Sequence, residues 1–377
     1  MKKSGTADLP LHGGRTPRWL FDRMVKLAGG ISEIIILEYG EDEFLKRISD
    51  PFWFQSLSCV LGFDWHSSGT TTTTCGALKV ALNPEKDGIA VAGGKGKASK
   101  KTPEEIRRAS EIFSLSDEKV RDLIYKSRMS AKIDNSCLQD GFDLYHHCLF
   151  LDEHGNWVVV QQGMSDTHAR RYHWLSSDIE SIVVEPHSAI CGEREKNYVL
   201  DMTSIKSEET RKISVDIVKD NPQHIERYLT GNTTLLDFSE DIEAKIFEKV
   251  NSPHLHMPKR HEILRIDLGK RGIQTLKKIY EIQPKNYEEL VSIRGVGKKT
   301  IRSLALVSNV IYGSKLSWKD PVTYSYAHGG KDGHPFPVQR REYDESIEVL
   351  KNAVKDAKIE RKEKLRALKR MSDFLEG

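Results

Sequence analysis

The sequence predicts an α+β protein. A mixed α/β part with a few strands spans residues 1–204, a mostly helical part spans 205–342, and one long helix spans 343–377. Three observations predict it. Two β-prone runs, residues 146–151 and 157–162, flank the turn-forming Asp152-Glu153-His154-Gly155-Asn156, the pattern of a β-hairpin. From Ile205 onward the pattern becomes helical, with Pro222 and Pro253 suited to helix boundaries. The stretch from about Tyr343 to Phe374 keeps helical periodicity and is rich in Lys, Arg, Glu and Ala.

The elements follow in order. Residues 19–28 read as a helix stopped by Gly29-Gly30, with residues 34–37 in a second element. The threonine run 70–74 fits a β-branched strand or the polar entry to a helix, and Ala77 to Leu82 favour the helix. Residues 93–101, with four lysines and little apolar content, are expected as an exposed loop that touches phosphates or stays solvated. Thr102-Pro103-Glu104-Glu105 then opens a helix by cap, first-turn proline and early acids. Residues 182–185 are a further β-prone patch. Residues 273–280 and 287–290 are helical, and 300–312 form a helix ended by Gly313. The terminal helix is expected to pack on the body or to join two copies in a homodimer.

Composition sets limits. The 377 residues carry 58 Lys and Arg against 55 Asp and Glu, a formal net charge of +3. Overall charge therefore says little about a polyanionic partner, and local clusters must carry that case. No apolar run approaches the roughly 20 residues of a membrane helix. Met1-Lys2-Lys3-Ser4-Gly5 has no apolar stretch behind it, so a secretory signal is not expected and a cytoplasmic location is. Cys59, Cys75, Cys137, Cys148 and Cys191 form no close Cys-x-x-Cys pair. They read as reduced thiols, neither a disulfide frame nor a structural zinc site.

The most telling string is Leu290-Val291-Ser292-Ile293-Arg294-Gly295-Val296-Gly297-Lys298-Lys299-Thr300. Gly295 and Gly297, one aliphatic residue apart, make a tight corner between two helices. Without Cβ atoms the backbone can approach a phosphate, and the first N–H groups of the next helix point at the anion. Lys298, Lys299 and Arg302 add charge there, and Thr300 lies in the same first turn. Contact of this kind positions a DNA backbone without reading bases.

This string resembles the helix-hairpin-helix motif of DNA repair proteins, including base-excision glycosylases. That class carries Leu-Pro-Gly-Val-Gly-x-Lys-Thr, and here Arg294 stands where the proline is usual. The resemblance implies a Schiff-base role for Lys299 and a catalytic-carboxylate role for Asp320, the nearest match to the family's aspartate. Such chemistry needs Lys299 neutral as it attacks the sugar and Asp320 ionised beside developing positive charge. Beyond it lies a glycine-rich loop with Tyr324, Tyr326, His328 and Lys331, whose aromatics can stack on a base while the cations contact the strand. Together with Gly5-Thr6-Ala7-Asp8-Leu9-Pro10-Leu11-His12-Gly13-Gly14 near the start, this loop makes the chain resemble the family called domain of unknown function 763 over nearly its full length.

The middle of the chain holds other polar residues. Asp143, His147 and Asp152 are candidates for holding Mg²⁺ or Mn²⁺, which would activate water at a phosphodiester, with Asp143 and His147 the catalytic pair. Adjacent His146 and His147 point to opposite faces of a strand, so both cannot serve one simple site. The leading expectation is a DNA repair endonuclease that incises damaged or structured DNA by phosphodiester hydrolysis. A glycosylase with lyase activity and a non-catalytic DNA-binding protein are the alternatives.

Overall fold

The computed structural model describes residues 9, 11, 16–63, 67–192, 198–220, 270–322, 340–357, 361 and 364–369. Helix α1 (Arg18–Ser49) runs through Gly29-Gly30 and breaks at Gly40 instead, where φ is 83° and ψ 169°. The expected stop fails because Gly29 lies against Ala81, whose Cβ is 3.6 Å from where a Gly29 Cβ would stand. Ile31 and Ile35, just beyond, are fully buried. Burial of that face outweighs a glycine cost of about 1 kcal/mol per residue.

Helix α2 (Pro51–Val60) starts on Asp50, whose carboxylate accepts from the Phe52 and Trp53 N–H groups at 2.8 and 3.2 Å. The threonine run is helical, in α3 (Gly69–Ala81), with Thr70, Thr71 and Thr74 buried. After the short α4 (Pro84–Asp87), the lysine–glycine stretch departs from expectation. It begins as strand β1 (Ile89–Lys95), paired antiparallel with residues 146–152. Gly93 has φ 95°, and a Cβ there would stand 2.2 Å from the His147 carbonyl oxygen. The lack of apolar side chains thus reflects close backbone approach rather than a loop. Residues 96–101 form a 3₁₀ turn that exposes Lys97, Lys100 and Lys101. Helices α5 (Thr102–Ile112) and α6 (Asp117–Ser136) follow.

The main sheet is antiparallel in the order β1-β3-β4-β5-β6, with β3 (Asp143–Asp152), β4 (Trp157–Met164), β5 (Ala169–Leu175) and β6 (Ala189–Cys191). The β3–β4 hairpin is the one the sequence predicts, closed by Asp152, whose Oδ1 accepts from the His154 and Asn156 N–H groups. The β-prone residues 182–185 form no strand; Ile182 and Val183 are buried in irregular backbone. The third long strand is β5, whose Arg170, Arg171 and His173 disguise it as polar surface. A small sheet pairs β2 (Leu138–Gln139) with β7 (Leu200–Asp201). Helices α7 (Glu208–Lys219), α8 (Lys270–Ile282), α9 (Tyr287–Ser292), α10 (Lys298–Tyr312) and α11 (Arg340–Asp356) complete the described elements.

Alternation along the strands feeds two cores. Cys148, Phe150, Val158 and Val160 face α1, α2, α3 and α11. Leu149, Val159 and Trp174 face α6 and the helices α7 to α10, in a cluster that also holds Leu276, Leu290 and Val307. This second core draws residues from both sides of residue 204, joining Val199 and Met202 to Val215 and Val218. Helix α11 joins the first core through Leu350, Ala353 and Val354, which places it on the body as expected. No helix among the described residues is long and apolar enough to cross a membrane.

Candidate functional site

The corner between α9 and α10 is exposed on one side and pinned on the other. Ile293 and Val296 are buried, while Arg294, Gly295 and Lys299 face solvent. Gly295 has φ 106°, and its missing Cβ would meet Thr275 Oγ1 of α8 at 3.2 Å, so both conformation and crowding require glycine. Gly297, the N-cap of α10, has an extended backbone and nothing within 4 Å of a Cβ position. No side chain caps the helix there, and the first turn contains no acid. On the inner side Lys132 of α6 donates to the Ile293 carbonyl at 2.6 Å. Gln139 of β2 donates to the Lys298 carbonyl at 2.9 Å and accepts from Arg302 Nε at 2.8 Å. Thr300 is buried and so offers its backbone rather than its side chain. Exposed Arg271 and Lys278 flank Thr275 at helical spacing, adding positive charge beside Gly295.

Lys298 is ion-paired with Asp143, whose side chain is 79% exposed. Asp143, expected at a metal, therefore sits at the corner instead. Asp152 ends the same strand nine residues on, roughly 30 Å away at strand rise, and its carboxylate closes the β-turn. His147 lies between them, buried, its Nε2 2.8 Å from Ser127 Oγ and its Nδ1 2.8 Å from Gln161 Oε1. Asp143, His147 and Asp152 thus form no common centre, because one extended strand spaces them along its length.

Asp320 is paired with the central sheet. It is 1% exposed, and its two oxygens accept from Arg170 NH1 and NH2, each at 2.8 Å. Asp140 shares that guanidinium at 3.1 Å and accepts from Tyr172 at 2.6 Å. Burial raises the Asp140 carboxyl above its usual range, against the pull of Arg170 and Tyr172. This bidentate pair ties the segment after α10 to the central sheet. The pair acts as a clamp, and Asp320 also lines a cleft of about 380 Å³ together with Lys319 and Pro321.

Each face of the sheet carries a polar row set by register. His146 pairs with Gln162 and Gln162 with Arg171 on one face; His147, Gln161 and Tyr172 align on the other. Arg171 donates from Nε to His173 at 2.9 Å and stacks on Phe54 at 4.6 Å. Burial and then the Arg171 charge push His173 well below the ordinary imidazole range. The opposite row leads from His147 through Gln161 to Asp134, which accepts from Gln161 Nε2 at 2.6 Å and from Trp174 Nε1 at 3.0 Å.

Asp134 also holds His187 Nε2, and His187 opens on a cleft of about 380 Å³. Ser188, Asp201, Thr203, Lys206 and Lys319 line it further. Asp201 Oδ1 accepts from Thr203 and Ser204, and burial raises its carboxyl above the usual range. Glu185, at the cleft edge, holds φ at 41°, a conformation non-glycine residues adopt at a cost. A carboxylate behind an imidazole at a cleft is an arrangement suited to proton transfer. Sequence reasoning missed Asp134, His187 and Asp201, which lie on α6, a loop and β7. Asp201-x-Thr203, a short acceptor–hydroxyl turn pattern, was the only local signal.

Five cysteines are free, and four are buried. Cys75 of α3 and Cys148 of β3, however, meet His146 with their ligand atoms all within 4.8 Å, a group that can hold a metal ion. Sequence spacing had argued against such a site. The donors come from two distant elements, and the remaining signal, His146-x-Cys148, places both on one strand face. It is the one such group among the described residues, and it is not an oxygen set for Mg²⁺ or Mn²⁺.

Tyr324, Tyr326, His328 and Lys331 lie outside the described residues, as do Asp8 and His12 of the first glycine-rich string. No curated protein and no solved structure matches the chain. The model of the family described as protein of unknown function (DUF763) matches residues 5–338. Continuous over the central sheet and over the corner between α9 and α10, that match makes the chain a member of the DUF763 family.

Proposed function

We propose that this protein binds DNA through the corner between α9 and α10, gripping a backbone phosphate without regard to sequence, in the service of DNA repair. The observation that carries the reading is the open front of Gly297 at the uncapped start of α10, with Lys298 and Lys299 beside it. A phosphate there meets N–H groups and the positive helix end together, and the exposed Arg294 and Arg271 extend the favourable field.

The accompanying chemistry we infer is incision by phosphodiester hydrolysis, with His187 as proton carrier. The Asp134 carboxylate fixes Nε2 of the His187 ring that lines the cleft, while Lys206 and Lys319 supply charge for a phosphate. This reading is favoured over a glycosylase because Asp320 is clamped by Arg170 and Lys299 stands on the surface rather than in a pocket.

Binding is tested by fluorescence anisotropy of labelled duplex and single-stranded oligonucleotides across a salt series. Lys298→Ala/Lys299→Ala should weaken binding about tenfold, or ~1.4 kcal/mol, and flatten the salt dependence by roughly one unit of slope per lost contact. Cleavage is tested on DNA bearing uracil, hypoxanthine, an oxidised base or an abasic site, with and without Mg²⁺ or Mn²⁺. Strand breaks with intact bases, lost in His187→Ala, support hydrolysis. A borohydride-trapped adduct lost in Lys299→Ala overturns it in favour of lyase chemistry. Binding without product leaves a DNA-binding protein, and absence of salt-sensitive affinity overturns the whole reading.

A further inference from the structure

We propose that Cys75, His146 and Cys148 hold a thiophilic ion of the zinc class that ties helix α3 to the central strand β3. The proposal is independent of DNA binding and concerns the opposite side of the sheet from the corner.

Two separate observations carry it. The first is convergence: two sulfurs and an imidazole, all buried, lie with their ligand atoms within 4.8 Å of one another. The edges of a tetrahedron around Zn²⁺ are roughly 3.5–3.8 Å for sulfur and nitrogen ligands. The group is thus at most about 1 Å wider than a closed site. The second is an unmet need. His146 is 1% exposed, yet neither Nδ1 nor Nε2 has a hydrogen-bond partner. A buried imidazole normally satisfies at least one nitrogen, as His147 and His173 do here. Ligation supplies what His146 lacks.

The donor chemistry selects the ion. Two thiolates and an imidazole suit zinc-class ions and not hard cations, which take oxygen. The charge also suits the site. A divalent ion with two thiolates and a neutral imidazole sums to zero, so the complex can sit among Phe150, Val158 and Val160 without a buried net charge. Each thiol gives up its proton on binding the ion. The three residues supply three of four tetrahedral positions.

The experiment is elemental analysis of the full chain purified without added metal or affinity resin metal, followed by chelation and reconstitution with Co²⁺. Expected are a near-stoichiometric thiophilic ion, a near-ultraviolet sulfur-to-cobalt band on reconstitution, and alkylation of Cys75 and Cys148 only after chelation. Cys75→Ser and Cys148→Ser should each abolish the band, while Cys191→Ser, a buried cysteine outside the group, should keep it. Folding of the variants is followed by circular dichroism, and the wild-type cobalt spectrum decides the matter where a variant does not fold. A reduced, folded chain that neither retains a thiophilic ion nor gives the cobalt band overturns the proposal. So does an intact mass short of two hydrogens with no metal, which would mark a Cys75–Cys148 disulfide.

Discussion

The corner between α9 and α10 and the polar rows of the sheet treat charge in opposite ways. At the corner, Arg294 and Lys299 are exposed, the helix start has no side-chain cap, and Asp143, the ion-pair partner of Lys298, is itself exposed. In the sheet, Arg170 and Arg171 are fully buried, Arg170 against two carboxylates and Arg171 among a histidine, an amide and an aromatic ring. Residues of similar chemistry therefore serve different ends. Charge left toward solvent is available to a partner, and charge enclosed in matched hydrogen bonds fixes the architecture. Asp320 shows the difference most clearly: the helix-hairpin-helix resemblance nominates it for chemistry, and in the fold it is buried and paired with Arg170.

That contrast can be broken where it is strongest. Asp320→Ala leaves the Arg170 guanidinium without its bidentate partner, and should cost about 3–5 kcal/mol in urea unfolding. Loss of DNA-directed activity with unchanged stability would show that Asp320 works in chemistry instead. The two glycines give the next test. Gly295→Ala should destabilise the fold by about 1–2 kcal/mol, since φ 106° is hostile to a Cβ and Thr275 crowds the position. Gly297→Ala should change stability by less than about 0.5 kcal/mol, because its Cβ meets open space, yet weaken oligonucleotide affinity by screening the helix start. Equal effects of both substitutions on stability and affinity would dissolve the distinction.

Acid titration sharpens the buried side. His173 is held well below 6.5 in the folded chain, so it stays neutral while the unfolded chain takes up a proton below that pH. Its contribution is complete above 6.5 and is lost as pH falls, at ~1.4 kcal/mol per pH unit. Denaturation curves of His173→Gln should show a shallower acid dependence than the parent. The smallest effect is expected at the junction of the two regions. Asp143→Asn removes an exposed pair worth about 0.5 kcal/mol or less to stability, and should tighten oligonucleotide binding slightly by releasing Lys298 and removing a repulsive charge.

Local chemistry was legible wherever an element is defined by its own neighbours. The β3–β4 hairpin declared itself because Asp152 to Asn156 carry the turn, and α10 because Gly313 ends it in the left-handed conformation at φ 69°. Strand β5 was not legible, since its arginines are paired by residues distant in sequence, Asp140 after β2, Gln55 of α2, Thr71 of α3 and Asp320 after α10. Helix α1 was misread at Gly29-Gly30 because packing on Ala81, more than fifty residues later by the numbering, outweighs local propensity. The cleft at His187 and the Cys75–His146–Cys148 group were invisible for the same reason: each draws its members from separate elements.

By itself the sequence determined the α+β class, the helix-corner-helix around Gly295 and Gly297, and the opposite facing of His146 and His147. These depend on backbone conformation, turn chemistry and strand alternation, which act over a few residues. Tertiary structure alone decided which charged groups remain open to a partner and which are consumed within the fold. Burial and hydrogen-bond pairing are properties of elements brought together across the chain, and no spacing rule along it contains them.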